Sequence, residues 1–314
     1  MMRKMMMGIL SLLFILMMLT PALGAISLED AWITAGGYSI GDGEQMDMNL
    51  YTLESHPYYF VEYSVNNTLT GVLVIDGETG EVVKDSETVQ KISYTNFYLK
   101  NVTQEYISGL NISAQVYKAS SDFCNKQADL FKKEIPTLKD GDRQKLGTIA
   151  QSYQEAGTAY GEMATLYGEV AVVASDVVSG NRSYENAMKL TGQMDELEKI
   201  LIKLGTAYDH VIADMNIYFD ILIENPEAYR VNKTQMEDYK VLFNTNWPQE
   251  KELIVNALLQ SIEDDRENTK NRTEVDVQLM DVRVKTAEMP GFTFFLTAAV
   301  LGLAAIVAGK KYRK

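Results

Sequence analysis

The side chains best suited to chemistry are few in this sequence. His56 and His210 are the only histidines and Cys124 is the only cysteine. None of them falls in a cluster with metal-ligand spacing, and the chain has no nucleophile elbow, no phosphate-cradling glycine loop and no His-Glu-x-x-His. Carboxylates are plentiful but scattered along charged faces, so no acid–base pair stands out. The expectation is a non-enzymatic protein with no catalytic residue, no metal and no cofactor. Cys124 lies on one apolar stripe with Tyr117, Ala128 and Phe131, which predicts a buried, inert thiol; a single cysteine also permits no intrachain disulfide. His210, next to Asp209, reads as a residue at the border of a helical seam. The covalent chemistry that the sequence does suggest is glycosylation. Sequons occur at Asn66, Asn101, Asn111, Asn181, Asn232 and Asn271, against roughly two expected by chance. Asn66, Asn181 and Asn232 fall at predicted turns or helix ends, where a glycan is accommodated.

The two ends read as export and anchoring signals. Arg3 and Lys4 precede an uncharged run from Met5 to Leu19, and Pro21 to Ala25 supplies small residues at a cleavage point after Gly24. That is the order of a signal peptide over residues 1–24. At the other end, no charge occurs between Phe292 and Gly309, and as a helix that run would extend roughly 27 Å, enough to cross a bilayer's hydrocarbon. The basic tail Lys310, Lys311, Arg313 and Lys314 belongs on the cytoplasmic side by the positive-inside rule, so everything upstream belongs outside.

The order Pro290, Gly291, Phe292, then an apolar span, then a basic end, resembles the PGF-type C-terminal sorting signal of archaeal surface proteins. The resemblance covers residues 290–314 and implies that an archaeosortase removes the span and joins the ectodomain to a membrane lipid. The alternative is a plain transmembrane anchor whose Pro290 and Gly291 merely break the preceding helix. Without both ends, the 29 cations fall to 23 while the 43 carboxylates stay, leaving about 20 net negative charges. Such a body should avoid nucleic acid and anionic lipid, and acidic composition commonly serves solubility.

Residues 25–85 predict a small α+β module. Leu28 to Ala35 suits a short helix ended by Gly36-Gly37. Tyr58 to Val65 and Gly71 to Ile75 are strands joined by a loop at Asn66 to Thr70, and a turn over Asp76 to Gly80 leads to a third run at Glu81 to Lys84. Val74 to Val83 is similar to the end of a PepSY-type mini-domain, in which a short helix packs on a small antiparallel sheet. That resemblance implies peptidase regulation or extracellular contacts. A generic three-stranded meander is the alternative.

Residues 86–288 predict a helical bundle divided by Pro136, Pro226 and Pro248. Apolar positions from Val89 to Ile135 form one stripe with a break at Ser108-Gly109. Tyr153, Tyr160 and Tyr167 share a heptad position with Leu146 and Ala174, while Ala150, Gly157, Ala164 and Ala171 share another and invite a close helix neighbour. Ala187 to Leu222 alternates steps of three and four over five heptads, and the connector at 179–183 folds this helix back antiparallel on its predecessor. Residues 263–274 are polar all round and read as a solvated helix or stalk, followed by a weak stripe at Val275, Leu279 and Val282. The fold class expected is mainly α: an elongated antiparallel bundle or coiled coil behind the small module, with residues 289–314 as the sorting signal and transmembrane helix. The function expected is an anchored surface protein with a structural or envelope-interaction role. Its partners would be an archaeosortase, a lipid anchor and an unidentified envelope or protein component. The alternative is an extracytoplasmic binding or peptidase-regulating protein acting through the PepSY-like module.

Overall fold

A computed structural model describes residues 25–41 and 43–288. Signal peptide, sorting motif, apolar span and basic tail all lie outside the described residues. The chain is mainly helical with one small antiparallel sheet, as the sequence predicts. It divides into two compact units, each assembled from separated stretches of chain.

The first unit contains residues 25–100, 181–187 and 269–288 of the described chain. Helix α1 (Leu28–Gly36) starts at Ser27, whose hydroxyl accepts the Asp30 N–H. Strands β1 (Gln45–Leu53), β2 (His56–Val65) and β3 (Thr68–Asp76) form a meander in the order β1-β2-β3. Strand β1 is absent from the sequence expectation, because Gln45, Met46, Asp47, Met48 and Asn49 are not β-branched or aromatic. Its hairpin to β2 turns at Glu54 and Ser55, both with positive φ. That is the geometry of a tight two-residue turn made without the usual Asn-Gly. The β2–β3 hairpin turns the same way at Asn66 and Asn67, so the loop is tighter than expected. The expected third strand at Glu81 to Lys84 reduces to a single bridge between Ile75 and Val82.

The module does not end at residue 85. Helix α2 (Ser86–Leu99), capped by the Asp85 carboxylate at the Thr88 N–H, buries Val89, Ile92, Ser93, Thr95, Asn96 and Leu99 and belongs with the sheet. Tyr51 Oη of β1 donates to Asn96 Oδ1 at 2.8 Å, a buried bond that ties α2 to the strands. The helix stops at Lys100 rather than at Ser108-Gly109. Thr103 then accepts the Tyr106 N–H and starts a new helix that runs straight through Gly109.

The second unit is the helical bundle of residues 101–180 and 188–268. It comprises α3 (Gln104–Glu134), the short α4 (Asp140–Lys145) and α5 (Ile149–Val178). The stretch of α6 (Tyr184–Glu224) from Met188, α7 (Pro226–Tyr229), α8 (Lys233–Lys251) and the start of α9 (Ala257–Glu288) complete it. The predicted tyrosine and leucine stripes do form its core: Tyr153, Tyr160, Leu201, Leu204 and Tyr208 are buried, and the Tyr160 and Tyr208 hydroxyls hydrogen-bond each other. The small-residue row on α5 admits α3 closely. Ser121 Oγ donates to the Gly157 carbonyl at 2.6 Å, and a Cβ on Gly157 would stand 2.7 Å from Asn125 Oδ1. Cys124 is buried as expected. Pro248 lies inside α8 rather than at a helix start, and a π-helical turn over Glu252–Asn256 follows it. That turn presses Val255 against Gly205 of α6, where an added Cβ would meet Val255 at 3.2 Å.

Candidate functional site

Of residues 263–274, expected to be solvated on all sides, 263–268 are largely exposed, but Thr269 and Thr273 open a buried face of α9. Thr269, Thr273, Asp276, Met280, Arg283 and Thr286 recur at helical spacing and are all buried. Five of the six are polar, so the face carries no hydrophobic signal in the sequence. From Thr269 onward it belongs to the sheet unit, and two charge clusters hold it there, one buried and one partly exposed.

Arg283 is the larger anchor. Its side chain is 1% exposed and that of its partner Glu44 is 2% exposed. Arg283 Nη2 donates to Glu44 Oε1 at 2.6 Å, and Nη1 donates to Glu44 Oε2 at 3.1 Å and to the Tyr38 carbonyl at 2.9 Å. The paired geometry is that of a bidentate guanidinium–carboxylate contact. Glu44 also accepts from Thr70 Oγ1 at 2.8 Å, Ser39 Oγ at 3.0 Å and the Ile40 N–H at 3.1 Å. Burial alone would raise the Glu44 pKa. The Arg283 bonds and charge, with Thr70 and Ile40, outweigh it and hold the carboxyl below its usual range. Beneath the guanidinium lies the Tyr63 ring, 3.6 Å from Cζ. Above β3 the space exists only because residue 71 is glycine, since a Cβ there would overlap the guanidinium. Arg283 Nε, which lies against Gly71, has no hydrogen-bond partner among the described residues.

The second cluster centres on Glu62 of β2. Its carboxylate takes Arg272 Nη2 at 2.7 Å on one oxygen and Lys100 Nζ on the other. Arg272 Nε bonds Asp276 Oδ1 at 2.8 Å, and Ser93 Oγ of α2 donates to Asp276 Oδ2 at 2.6 Å. Burial of Asp276 raises its pKa despite the Arg272 charge and the Ser93 bond. Each carboxylate oxygen in both clusters has a donor. These donors hold each carboxylate in a fixed orientation. What the arrangement does well is hold: α9, α2 and the sheet are joined through charges of which Glu44, Arg283 and Asp276 are buried and costly to leave unpaired.

The other sequence candidates lie apart from these clusters. His56 Nε2 stands 2.8 Å from Asp76 Oδ2, and Asp76 Oδ1 caps its own turn by accepting the Glu78 and Thr79 N–H groups at 2.9 Å each. His210 Nδ1 stands 3.5 Å from Glu155 on the bundle surface. Glu155 also lines an open groove of about 680 Å³ between α5 and α6, with Gln151, Gln154, Glu162 and Lys203. No group of three or more His, Cys, Asp or Glu residues with metal-binding geometry occurs among the described residues. All six sequon asparagines are exposed: Asn66 in a hairpin turn, Asn101 and Asn181 in connectors, Asn232 as the N-cap of α8, and Asn111 and Asn271 on helix surfaces. Pro290, Gly291, Phe292 and the basic tail fall outside the described residues, and among those described no helix is long and apolar enough to cross a membrane. The residues that sequence reasoning missed are Glu44, Glu62, Asp276 and Arg283. The sequence signal of Asp276 and Arg283 is a polar stripe at helical period, which in isolation looks like a solvated face, and Glu44 and Glu62 stand outside any such pattern. No protein-family model, curated protein or solved structure matches the chain.

Proposed function

We propose that the chain is an exported archaeal cell-surface protein, anchored through its C-terminal segment, whose role is structural or envelope-interacting rather than enzymatic. The observation that best supports this reading is the grip on α9. The helix that carries the chain to Glu288, two residues before Pro290, is built into the sheet by the Arg283–Glu44 and Arg272–Glu62 pairs. A tether attached after Pro290 therefore pulls on a buried ionic joint rather than on a loose stalk. The exposed sequons fit a glycosylated outer surface, and the three-part tail fits processing by an archaeosortase with transfer to a membrane lipid.

Intact-mass and lipid analysis of protein extracted from native membranes tests the reading. The expected mature chain begins near Ala25, carries glycan mass, lacks the peptide 296–310 and bears a lipid. Replacing Pro290, Gly291 and Phe292 with Ala should leave a longer, unprocessed chain in the membrane. Full recovery of peptide 296–310 from mature protein would reduce the tail to a plain span, and recovery of residues 1–24 would remove the export reading.

A second reading, capture of a protein partner through the mixed module, draws on strand β1. It is an edge strand with Gln45, Asp47 and Leu50 exposed, although its Thr52 end is already bridged to Ser183. Such an edge suits addition of an extended peptide strand.

A further inference from the structure

Every sequon asparagine is exposed, but the six sequons differ in what surrounds the hydroxyl residue two positions further on. N-glycosylation joins the asparagine Nδ2 to the anomeric carbon of a sugar while the bond from that carbon to the phosphate of an activated donor breaks. Nδ2 passes a proton to a base, and the phosphate leaves with the bonding electrons. The transferase recognises the asparagine together with the Ser or Thr two positions after it, so both side chains must reach one site. On an α-helix, residues two apart lie about 200° around the axis from each other and face different ways.

The fold closes three of the sequons. Asn111 lies within α3, and Ser113, half-buried, faces away from it. Asn271 lies within α9, where Thr273 is 5% exposed and its hydroxyl donates to the Lys270 carbonyl at 3.1 Å. Between them, Arg272 is bonded to Glu62 and Asp276. Asn181 is in a connector, but Ser183 is 7% exposed and its Oγ accepts the Asn186 N–H at 3.2 Å. Arg182 is pinned as well: its carbonyl accepts the Thr52 N–H at 3.0 Å, and its guanidinium donates to Asn49 and to the Leu99 carbonyl. The other three sequons are open. Asn66 and Asn67 form a hairpin turn and Thr68 is exposed. Asn101 and Thr103 are both exposed in the connector before α3. Asn232 caps α8, and Thr234 is exposed in its first turn, the part of a helix that frays. Asn232 caps through Oδ1, which accepts the Gln235 N–H at 3.1 Å, and the sugar joins Nδ2, so cap and glycan coexist.

Resting on the reading of the chain as an exported glycoprotein, we propose that the fold selects among its sequons: Asn66, Asn101 and Asn232 receive glycans, and Asn111, Asn181 and Asn271 stay bare. Timing favours the fold. Helices and hairpins form within about 10 μs, against about 0.1 s for a typical enzyme turnover. The locks on the Asn181 and Asn271 sequons also close on Thr52 and Glu62, which lie far earlier in the chain and are exported first.

The test is glycopeptide mass spectrometry of the full protein from native membranes, reading the occupied fraction at each sequon. Occupancy at Asn111, Asn181 and Asn271 should be at least about tenfold below that at the open three, because local structure forms so much faster than transfer. Asn271 is the decisive site, since Thr273 matches Thr68, Thr103 and Thr234 of the open sequons in residue type and only the fold sets it apart. Lys233→Arg gives Asn232 the same Asn-Arg-Thr tripeptide as Asn271, and Asn232 should stay occupied. Equal occupancy at Asn271 and the open sites overturns the proposal while leaving the glycosylated surface intact. Loss of the glycan from Asn232 in Lys233→Arg overturns it too, because the tripeptide rather than the fold then decides. No glycan at any of the six overturns the proposal and the glycosylated-surface reading together.

Discussion

Replacing Arg283 with Met removes the cation from a site where both partners are almost fully buried, at 1% and 2% side-chain exposure. The remaining Glu44 carboxylate keeps Thr70, Ser39 and the Ile40 N–H as donors but loses its counter-charge in a dry setting. Breaking a buried ion pair from one side costs about 3 to 5 kcal/mol. With a urea dependence of about 2 kcal/mol per molar, the unfolding midpoint of the sheet unit should fall by about 2 M. The two tryptophans separate the units: Trp32 belongs to α1 in the sheet unit, and Trp247 packs on Tyr153 and Tyr208 in the bundle. Fluorescence in a Trp247→Phe background therefore reports the sheet unit, and in a Trp32→Phe background it reports the bundle. The large shift is expected in the first background. Acid supplies a second readout. Because the folded state holds the Glu44 carboxyl below its ordinary value near 4.5, the pair stabilises above that value. Its contribution is lost as pH falls through the lower folded pKa. Arg283→Met should flatten this acid limb. A shift in the Trp32 transition of less than about half a kcal/mol, the usual size of a surface effect, would refute the reasoning.

Two further outcomes concern the bundle. Leu201 is fully buried while Lys199 is exposed and pairs with Glu196 one turn away, so Leu201→Ala should cost about 2 to 5 kcal/mol and Lys199→Ala no more than about half a kcal/mol. Equal thermal melting of the two variants by circular dichroism would place the α6 seam at the surface. Burial, helped by the Glu250 charge, pushes the Cys124 thiol up to about 12, so the native protein should resist alkylation at pH 8 and react fully in denaturant. Rapid native labelling would show that α3 opens away from α5.

The bundle was legible because its buried residues are apolar and periodic. Tyr153, Tyr160, Leu201, Leu204 and Tyr208 stand on stripes that burial alone explains, and all are buried. Strand β2 was legible for the same reason, since aromatic and β-branched residues dominate Tyr58 to Val65. Strand β1 was not, because Gln45 to Asn49 lacks both features and its turn uses Glu54-Ser55. Backbone pairing with Ser64 down to Pro57 holds it in the sheet instead. The break in the first long helix was misplaced for a related reason. Gly109 is a weak helix residue that the surrounding turns carry through, whereas the Thr103 hydroxyl offers the Tyr106 N–H a specific acceptor and so decides where α3 begins.

Least legible was the face of α9. A polar stripe is ordinarily solvated because an unpaired buried charge is prohibitive, and Arg283 alone gives no hint that its partner lies 239 residues earlier at Glu44. The hint is divided among positions that mean nothing separately. Glycine at 71 clears the space, Tyr63 supplies an aromatic floor, and Thr70 and Ser39 complete the carboxylate shell. Each could be replaced by a more stabilising strand or loop residue if α9 were absent. Their joint presence is what a buried cation requires, so substituting any one of them should weaken the seating of α9 more than its own contacts suggest.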